Sequence, residues 1–369
     1  MSVLTTLPQH ATHRFAAMRG FGSTPRGWIG IDIGSRSIKL TQVQRSGDRY
    51  QICQRWCVNR EQHPSQDSPT TAINLADKHL RLAELRELFT RSECAAAVSM
   101  AYHSLRSLEL PAASPDETRD MVSEELAADD EIGDTDYVFD FWSTNKAADQ
   151  AATVTALRMP ATLATGVAEG LTSAGYECQV LDGLPCALAR AVTMMNGPTA
   201  TPIVALDLGD SEFTFVLVVN GMPIYTRPLR GGGLRRLIKP VQQAFKLTHD
   251  EAMQLLVRYA IAPPDQSLRR AVSGPAQMLE QPMARLINEL KRTLDYAVQQ
   301  FGTSIPTELV LFGGGASIRH LPDCLSEQLG VPALTWRLPT SKPHEAADDS
   351  QFGVAAALSA LRWEQRSCS

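Results

Sequence analysis

Two Asp-x-Gly corners carry side chains suited to polyphosphate chemistry: Asp32-Ile33-Gly34 with Ser35, and Asp207-Leu208-Gly209 with Asp210 and Ser211. In each, an apolar run delivers a carboxylate to a loop, where it can hold Mg²⁺ through the waters that ion retains. The glycine two positions on lets backbone N–H groups approach phosphate oxygens, forming an anion-binding nest. Ser35 adds a hydroxyl donor. Lys39, on the outgoing run, puts an ammonium within reach of a β- or γ-phosphate. A third cluster, Gly313-Gly314-Gly315 with Ser317, follows the apolar run 308–312. A bare backbone there can lie flat against a purine and its ribose, with a helix start tolerating phosphate. Any strand-to-turn transition can use one Asp and one Gly, so the weight rests on the pairing. The set suits a nucleotide held by magnesium, without the G-x-G-x-x-G or Walker patterns of Rossmann and P-loop proteins.

The elements that must position these residues repeat. Residues 28–33 and 203–208 read as buried strands, each followed by an Asp-x-Gly corner, a second strand, a tight turn and a third strand. The turns are Ser46-Gly47-Asp48 and Asn220-Gly221; Asn-Gly between β-rich runs is a strong hairpin signal, because both positions tolerate positive φ. Beyond the first hairpin, Leu75, Leu82, Leu85 and Phe89 recur at helical spacing after a Pro/Ser/Gln-rich loop at 63–71. Ser114-Pro115-Asp116-Glu117 predicts a capping box opening a helix that runs to about 128. An acidic stretch through Asp129, Asp130, Glu131, Asp134 and Asp136 precedes strands at 137–142 and 153–157. Helices follow at 160–175 and 185–195. In the second half, Gly231-Gly232-Gly233 precedes a helix, and Thr248-x-x-Glu251 caps another reaching Tyr259. A long helix spans about 275–301, a helix covers 317–330, and an Ala/Leu-rich helix covers 354–362. Strands alternating with helices in both halves predict a two-lobed α/β protein.

Composition narrows the rest. With 369 residues, 44% of them hydrophobic and 20% charged, the chain is long enough for two lobes with ordinary globular cores. A net charge of −5, and no Arg/Lys run with interleaved aromatics, argue against nucleic acid. No stretch approaches the roughly 20 apolar residues of a membrane span. The seven cysteines are scattered, which indicates a reducing cytoplasm; Cys53 and Cys57 read as packing, since no second ligand pair accompanies them. Residues 1–27 hold Arg14, Arg19 and Arg26 and no acid. They read as an unstructured basic leader, the other reading being a weak contact with an anionic membrane through Leu7, Phe15, Met18 and Phe21. The acidic run 124–136 reads as a solvated face or a dock for a basic segment, and His249 and His320, each next to a helix start, as caps or solvated residues.

In order and spacing, the three motifs resemble the actin, sugar kinase and heat-shock chaperone ATPase superfamily: Gly30-Ile-Asp32-Ile-Gly34-Ser35 with Lys39 as phosphate-1, Asp207-Leu-Gly209-Asp210-Ser211 as phosphate-2, and Gly313-Gly314-Gly315-Ala316-Ser317 as the adenosine motif. Within it the chain is similar to the PilM family of type IV pilus assembly, with FtsA and the cytoplasmic part of GspL as relatives. The residues carrying this are the 122–126 helix with its acidic stretch, Gly175-Tyr-Glu-Cys-Gln-Val-Leu-Asp182 with Ala187-Leu-Ala-Arg190-Ala191, and Arg319-His-Leu321-Pro322. The resemblance covers about 28–363. It implies an actin-like (ribonuclease H-like) two-lobed fold: a first lobe at 28–195 with an inserted FtsA/PilM-type subdomain at about 72–158, a second at 196–363 with a small subdomain at about 231–290, and a tail at 364–369. It further implies ATP and Mg²⁺ between the lobes, with Asp32 and Asp207 holding Mg²⁺ through water. The other residues named would hold phosphates and adenosine, the nucleotide acting as a hinge clamp.

The implied partner is the cytoplasmic N-terminal tail of a PilN-like single-pass inner-membrane protein, held in a groove on the first lobe. That places the chain in the cytoplasm, peripheral to the inner face of the membrane. Three departures from the family pattern point to ATP binding with weak or absent hydrolysis. Phe213-Thr214 stands where Thr-Asp is usual, Leu184 where a polar residue near the γ-phosphate is expected, and Met253, Gln254 and Leu256 near a usual ribose-binding Glu/Lys pair. The alternatives are a small-molecule (sugar-type) kinase of the same superfamily, for which no general-base Asp stands out, and an FtsA-like filament protein, whose C-terminal membrane helix residues 361–367 are too short and polar to supply.

Overall fold

The computed structural model describes residues 25–60, 81–128, 136–143, 152–229, 231–259, 269–341 and 349–364. The leader up to residue 24, the loop at 63–71, Leu75 and the acidic stretch 129–135 lie outside these. The first sheet holds β1 (Ile29–Ile33), β2 (Ser37–Ser46), β3 (Arg49–Asn59), β4 (Glu93–Val98) and β8 (Glu177–Asp182), in the order β3-β2-β1-β4-β8. The second holds β9 (Ile203–Leu208), β10 (Phe213–Val219), β11 (Met222–Leu229), β12 (Glu308–Phe312) and β13 (Ala333–Thr335), in the matching order β11-β10-β9-β12-β13. In both, the hairpin strands pair antiparallel and the crossover strands parallel. The register also repeats: Asp32 lies opposite Lys39, and Asp207 opposite Thr214.

Strand alternation decides where the carboxylates point. Ile29, Ile31 and Ile33 pack into the outer core of the first lobe with α3 (Ala161–Ser173), while Trp28 joins the core between the sheets. On β9 the parity is matched: Val204, Leu206 and Leu208 face the outer core of the second lobe, and Ile203 and Ala205 the core between the sheets. Asp32 and Asp207 therefore end the inner rows of two facing sheets. Between the sheets lie α4 (Leu184–Asn196) and α9 (Gly353–Glu364), the latter buried from Gly353 to Leu361. Trp336, wholly buried, donates from Nε1 to the Ala191 carbonyl at 2.7 Å, tying the second lobe to α4.

Gly30 belongs to this packing. A Cβ there would fall inside the Ala355 carbonyl, so α9 approaches β1 only because residue 30 is glycine. Gly30→Ala is expected to lower unfolding free energy by roughly 1–3 kcal/mol, as overpacking does, read by urea denaturation. An unchanged midpoint would show that α9 is not seated on β1.

A third sheet, β5 (Ser104–Leu110), β6 (Tyr137–Ser143) and β7 (Ala152–Pro160) in antiparallel order β5-β7-β6, lies between β4 and β8 in the chain. It packs with α2 (Pro115–Ala127) on a small core of Leu110, Val122, Leu126, Val154 and Ala156. The capping box at Ser114 and Glu117 forms as the sequence indicates. Arg158, 2% exposed, donates to Ser104 Oγ and to the Leu126 carbonyl at the end of α2, where a cation suits the helix dipole. Trp142 Nε1 donates to the Pro223 carbonyl of β11 at 2.7 Å, joining this sheet to the second lobe.

Three helical expectations change, while the helices after Gly233 and Thr248 form as expected. Within the described residues the first is only α1 (Leu82–Arg86). The long helix α7 (Arg269–Phe301) begins earlier and absorbs Pro275 and Pro282. No helix starts at Ser317: a 3₁₀ turn, Gly314–Ser317, comes first, and α8 (Leu321–Leu329) follows His320 in the left-handed conformation at φ 60°. Glycine propagates a helix poorly, so the run 313–315 ends in a turn instead. Helices α5 (Leu234–Phe245) and α6 (His249–Tyr259) form with α7 a small helical layer on the second lobe.

Candidate functional site: a phosphate cradle between the lobes

Lys39 Nζ donates to Asp32 Oδ2 at 2.9 Å, with side-chain exposures of 11% and 13%. Burial opposes the ammonium charge, yet the adjoining Asp32 carboxylate outweighs it and holds the lysine pKa above its ordinary value. An ammonium this enclosed belongs to the site and not to a solvated strand edge. Asp207 faces this pair. Burial, with the Asp32 charge adding to it, pushes its pKa up to about 7, and Lys39 works in the opposite sense. Thr214 occupies on β10 the position Lys39 holds on β2, so Asp207 has no cation of its own among the described residues.

The loops around these groups are tightly built. Gly34 N–H donates to the Ser37 carbonyl at 3.0 Å, and Arg60 braces the loop from behind, its Nη1 on the Gly34 carbonyl at 2.9 Å and its N–H on the Arg36 carbonyl at 2.8 Å. In the second lobe, Leu234 and Arg235 N–H donate to the Gly209 and Asp210 carbonyls at 2.9 and 3.0 Å, so the phosphate-2 loop caps α5. Gly313, at φ 80°, leaves room for Asp207: a Cβ there would stand 2.5 Å from Oδ1. Ser35 and Ser211 have no hydrogen-bond partner for their hydroxyls among the described residues.

Two of the expected ligands are engaged elsewhere. Asp210 Oδ2 accepts from Arg235 Nε at 3.1 Å and Nη2 at 2.9 Å, and His249 Nε2 lies 3.5 Å from Oδ1. Ser317 Oγ donates to the Gly314 carbonyl at 2.7 Å, closing the 3₁₀ turn. Of the glycines, Gly315 packs on Leu208 and Gly313 on Asp207, while a Cβ on Gly314 would meet only Leu234, at 3.8 Å. Phe213 is also re-read. It is 2% exposed in the outer core of the second lobe, so the residue turned to the inner face is Thr214 and no phenyl enters the cradle.

The sequence reading missed a crossing. Arg36 Nη2 donates to Asp250 Oδ1 at 2.6 Å, linking the β1–β2 loop to the first turn of α6. His249 beside it is no helix cap but a neighbour of Asp210. Burial, then Arg36, hold its pKa below the ordinary imidazole value. The Thr248–Glu251 capping box forms and marks where α6 starts; nothing in the pattern says that this start reaches the other lobe.

The family model of type IV pilus assembly protein PilM matches residues 30–338, spanning both sheets and the cradle. The chain belongs to the PilM family. A solved PilM-PilN type IV pilus biogenesis complex superimposes with a TM-score of 0.70 at 20% identity, over 91% of this chain and 98% of that one. The ethanolamine utilization protein EutJ from Carboxydothermus hydrogenoformans gives 0.49 at 14% identity, over 90% of each chain. The cytoplasmic domain of EpsL, an inner membrane component of the Vibrio cholerae type II secretion system, gives 0.38 at 12%, over 61% of this chain and 78% of that one. The fold is the mixed α/β fold of actin-like ATPases, two five-stranded sheets plus a small antiparallel insert.

In this PilM family member the donor set fits a magnesium-bound polyphosphate. Asp207 is a carboxylate with no hydrogen-bond or ion-pair partner among the described residues, set beside a second carboxylate and an ammonium. The backbones of Gly209 and Gly313 approach it closely. Asp207 would carry the waters of the metal, and Lys39 and Ser35 the phosphate oxygens. Asp32 orients Lys39 as well as adding charge.

Proposed function

We propose that this chain is an ATP-binding, actin-like scaffold of a type IV pilus or type II secretion-like machine, working as a nucleotide clamp between two lobes. The observation that carries this is the convergence of Asp32, Lys39 and Asp207 at the inner ends of two sheets of matching order and register. The phosphate set is Asp32, Gly34, Ser35, Lys39, Asp207, Gly209 and Ser211, and Gly314 offers the open face for adenosine. Mg²⁺ would supply charge neutralisation for the phosphates, and the residues themselves hold and orient the chain of oxygens. Hydrolysis is weak or absent. Supporting this, Asp182 at the end of β8 is bound to Arg190 Nη1 at 2.8 Å and to the Gly183 N–H at 2.9 Å, and the next side chain is buried Leu184. Neither Asp182, held by these bonds, nor Leu184 is thus placed to act as a general base on a phosphate-bound water.

The first lobe, 28–195 with its insert at about 72–158, grips the cytoplasmic N-terminal tail of a PilN-like single-pass inner-membrane protein; the second lobe is 196–363. Support comes from the family and from the fold shared with the PilM-PilN complex. The chain sits in the cytoplasm at the inner membrane face through that partner, and no helix among the described residues is long and apolar enough to cross a membrane. Calorimetry of the full chain with Mg·ATP tests the clamp. Saturable heat is expected, and Gly314→Val, which fills the open adenosine face, should abolish it. No heat from the unaltered chain would sink the nucleotide reading, and failure of a PilN-like tail peptide to co-purify would sink the partner.

A further inference from the structure

Arg36 follows Gly34 and Ser35 directly, on a loop whose backbone Arg60 fixes from behind. Its own side chain leaves that loop and crosses to Asp250 on α6, at 2.6 Å with side-chain exposures of 21% and 59%. The surroundings are charged on both sides: Asp210 takes Arg235 and lies beside His249, which in turn feels Arg36. A pair as exposed as Arg36–Asp250 is worth at most about 1 kcal/mol. Guanidinium bonds to phosphate, short and two-pronged, are among the stronger polar contacts available to a side chain. A polyphosphate seated against Ser35 and Lys39 brings several negative charges next to Arg36, more than the largely solvated carboxylate of Asp250 offers.

Resting on the nucleotide reading above, we infer that Arg36 is a further phosphate ligand that Asp250 holds in reserve: it bridges the lobes without nucleotide and turns to the phosphate chain when nucleotide binds, releasing α6. Loading of the cradle is thereby coupled to the position of the small helical layer on the second lobe. Asp250 acts as a competitor that sets affinity, and the two residues of one ion pair have opposite effects on binding.

That opposition is the test. In calorimetry of the full chain with Mg·ATP, Arg36→Ala should weaken binding about ten-fold, the loss of one charged hydrogen bond. Asp250→Asn should tighten it by roughly two- to five-fold, the release of an exposed pair. Adenosine affinity should not change in either variant. Hydrogen exchange supplies a second readout: α6 amides should exchange faster when ATP is added to the unaltered chain, and in Asp250→Asn should be fast already without it. A passive strut would give affinity shifts of the same sign in both variants, and the swapped pair Arg36→Asp/Asp250→Arg would restore ATP binding; either outcome overturns the inference while leaving the nucleotide reading intact. α6 exchange unmoved by Asp250→Asn overturns it as well. Absence of ATP binding in the unaltered chain overturns both.

Discussion

Lys39→Met is expected to lower the unfolding free energy by about 3–5 kcal/mol, the usual cost of removing one partner of a buried ion pair. The ammonium, its residue only 8% exposed, is 2.9 Å from Asp32 and is the cation that also faces Asp207. Methionine keeps most of the volume, so the loss is electrostatic: two carboxylates remain near each other with no compensating charge, and one must take up a proton. Two controls follow. Asp32→Asn with Lys39→Met should recover most of the loss, because no unpaired ion then remains beside Asp207. Arg45→Met, on the same strand β2 but one-third exposed and paired with the fully exposed Asp48, should change stability by no more than about 1 kcal/mol. Urea titrations of the three variants decide it. A Lys39→Met midpoint equal to that of Arg45→Met would mean that the cradle lysine is solvated and that the site is not assembled as described.

Much of this arrangement is legible in the sequence because it depends on short-range rules. A strand followed by an Asp-x-Gly corner and a hairpin appears twice, and period-two alternation then fixes which side chains share a face with Asp32 and Asp207. The same alternation, counted across the β9–β10 turn, is enough to turn Phe213 outward and Thr214 inward, although the family pattern sets Phe213 where a threonine is usual. Capping boxes at Ser114 and Thr248 are equally local and form as read. What the sequence does not carry is any contact that depends on how layers stack. Gly30 sits inside a glycine motif that reads as phosphate binding, but its missing Cβ makes room for Ala355, more than three hundred positions away. Arg36, Asp250, His249 and Asp210 meet only because α5, α6 and α7 set the start of α6 against the β1–β2 loop. Gly315 likewise packs on Leu208 of β9, a contact between distant segments that no local pattern announces.

Asp207 should make the nucleotide-free protein less stable as pH rises from about 4 to about 7, the reverse of the behaviour usual for a carboxylate in an ion pair. Its pKa goes from an ordinary 3.8 to about 7 in the fold, chiefly because burial disfavours the charged form and Asp32 repels it. Between those values the folded chain keeps a proton that the unfolded chain has released, so the folded state binds more protons and stability has a negative slope against pH. Below about pH 4 both states are protonated; above about pH 7 both are ionised and the dependence stops. About three pH units at roughly 1.4 kcal/mol each give a total of about 4 kcal/mol. Asp207→Asn removes the titration, so the variant should match the unaltered protein near pH 4 and exceed it by up to about 4 kcal/mol at pH 8. Chemical denaturation at steps across that range measures the difference directly, and a difference that stays constant with pH would refute the assignment. On the proposed nucleotide reading, the same charge gives the site its use. At pH 8 the fold holds a buried carboxylate that Lys39, already bound to Asp32, only partly offsets, and a cation arriving with a polyphosphate relieves it. Mg·ATP should therefore raise the stability of the unaltered chain more at pH 8 than at pH 5, and Asp207→Asn should lose that difference while keeping the phosphate contacts proposed for Ser35 and Lys39.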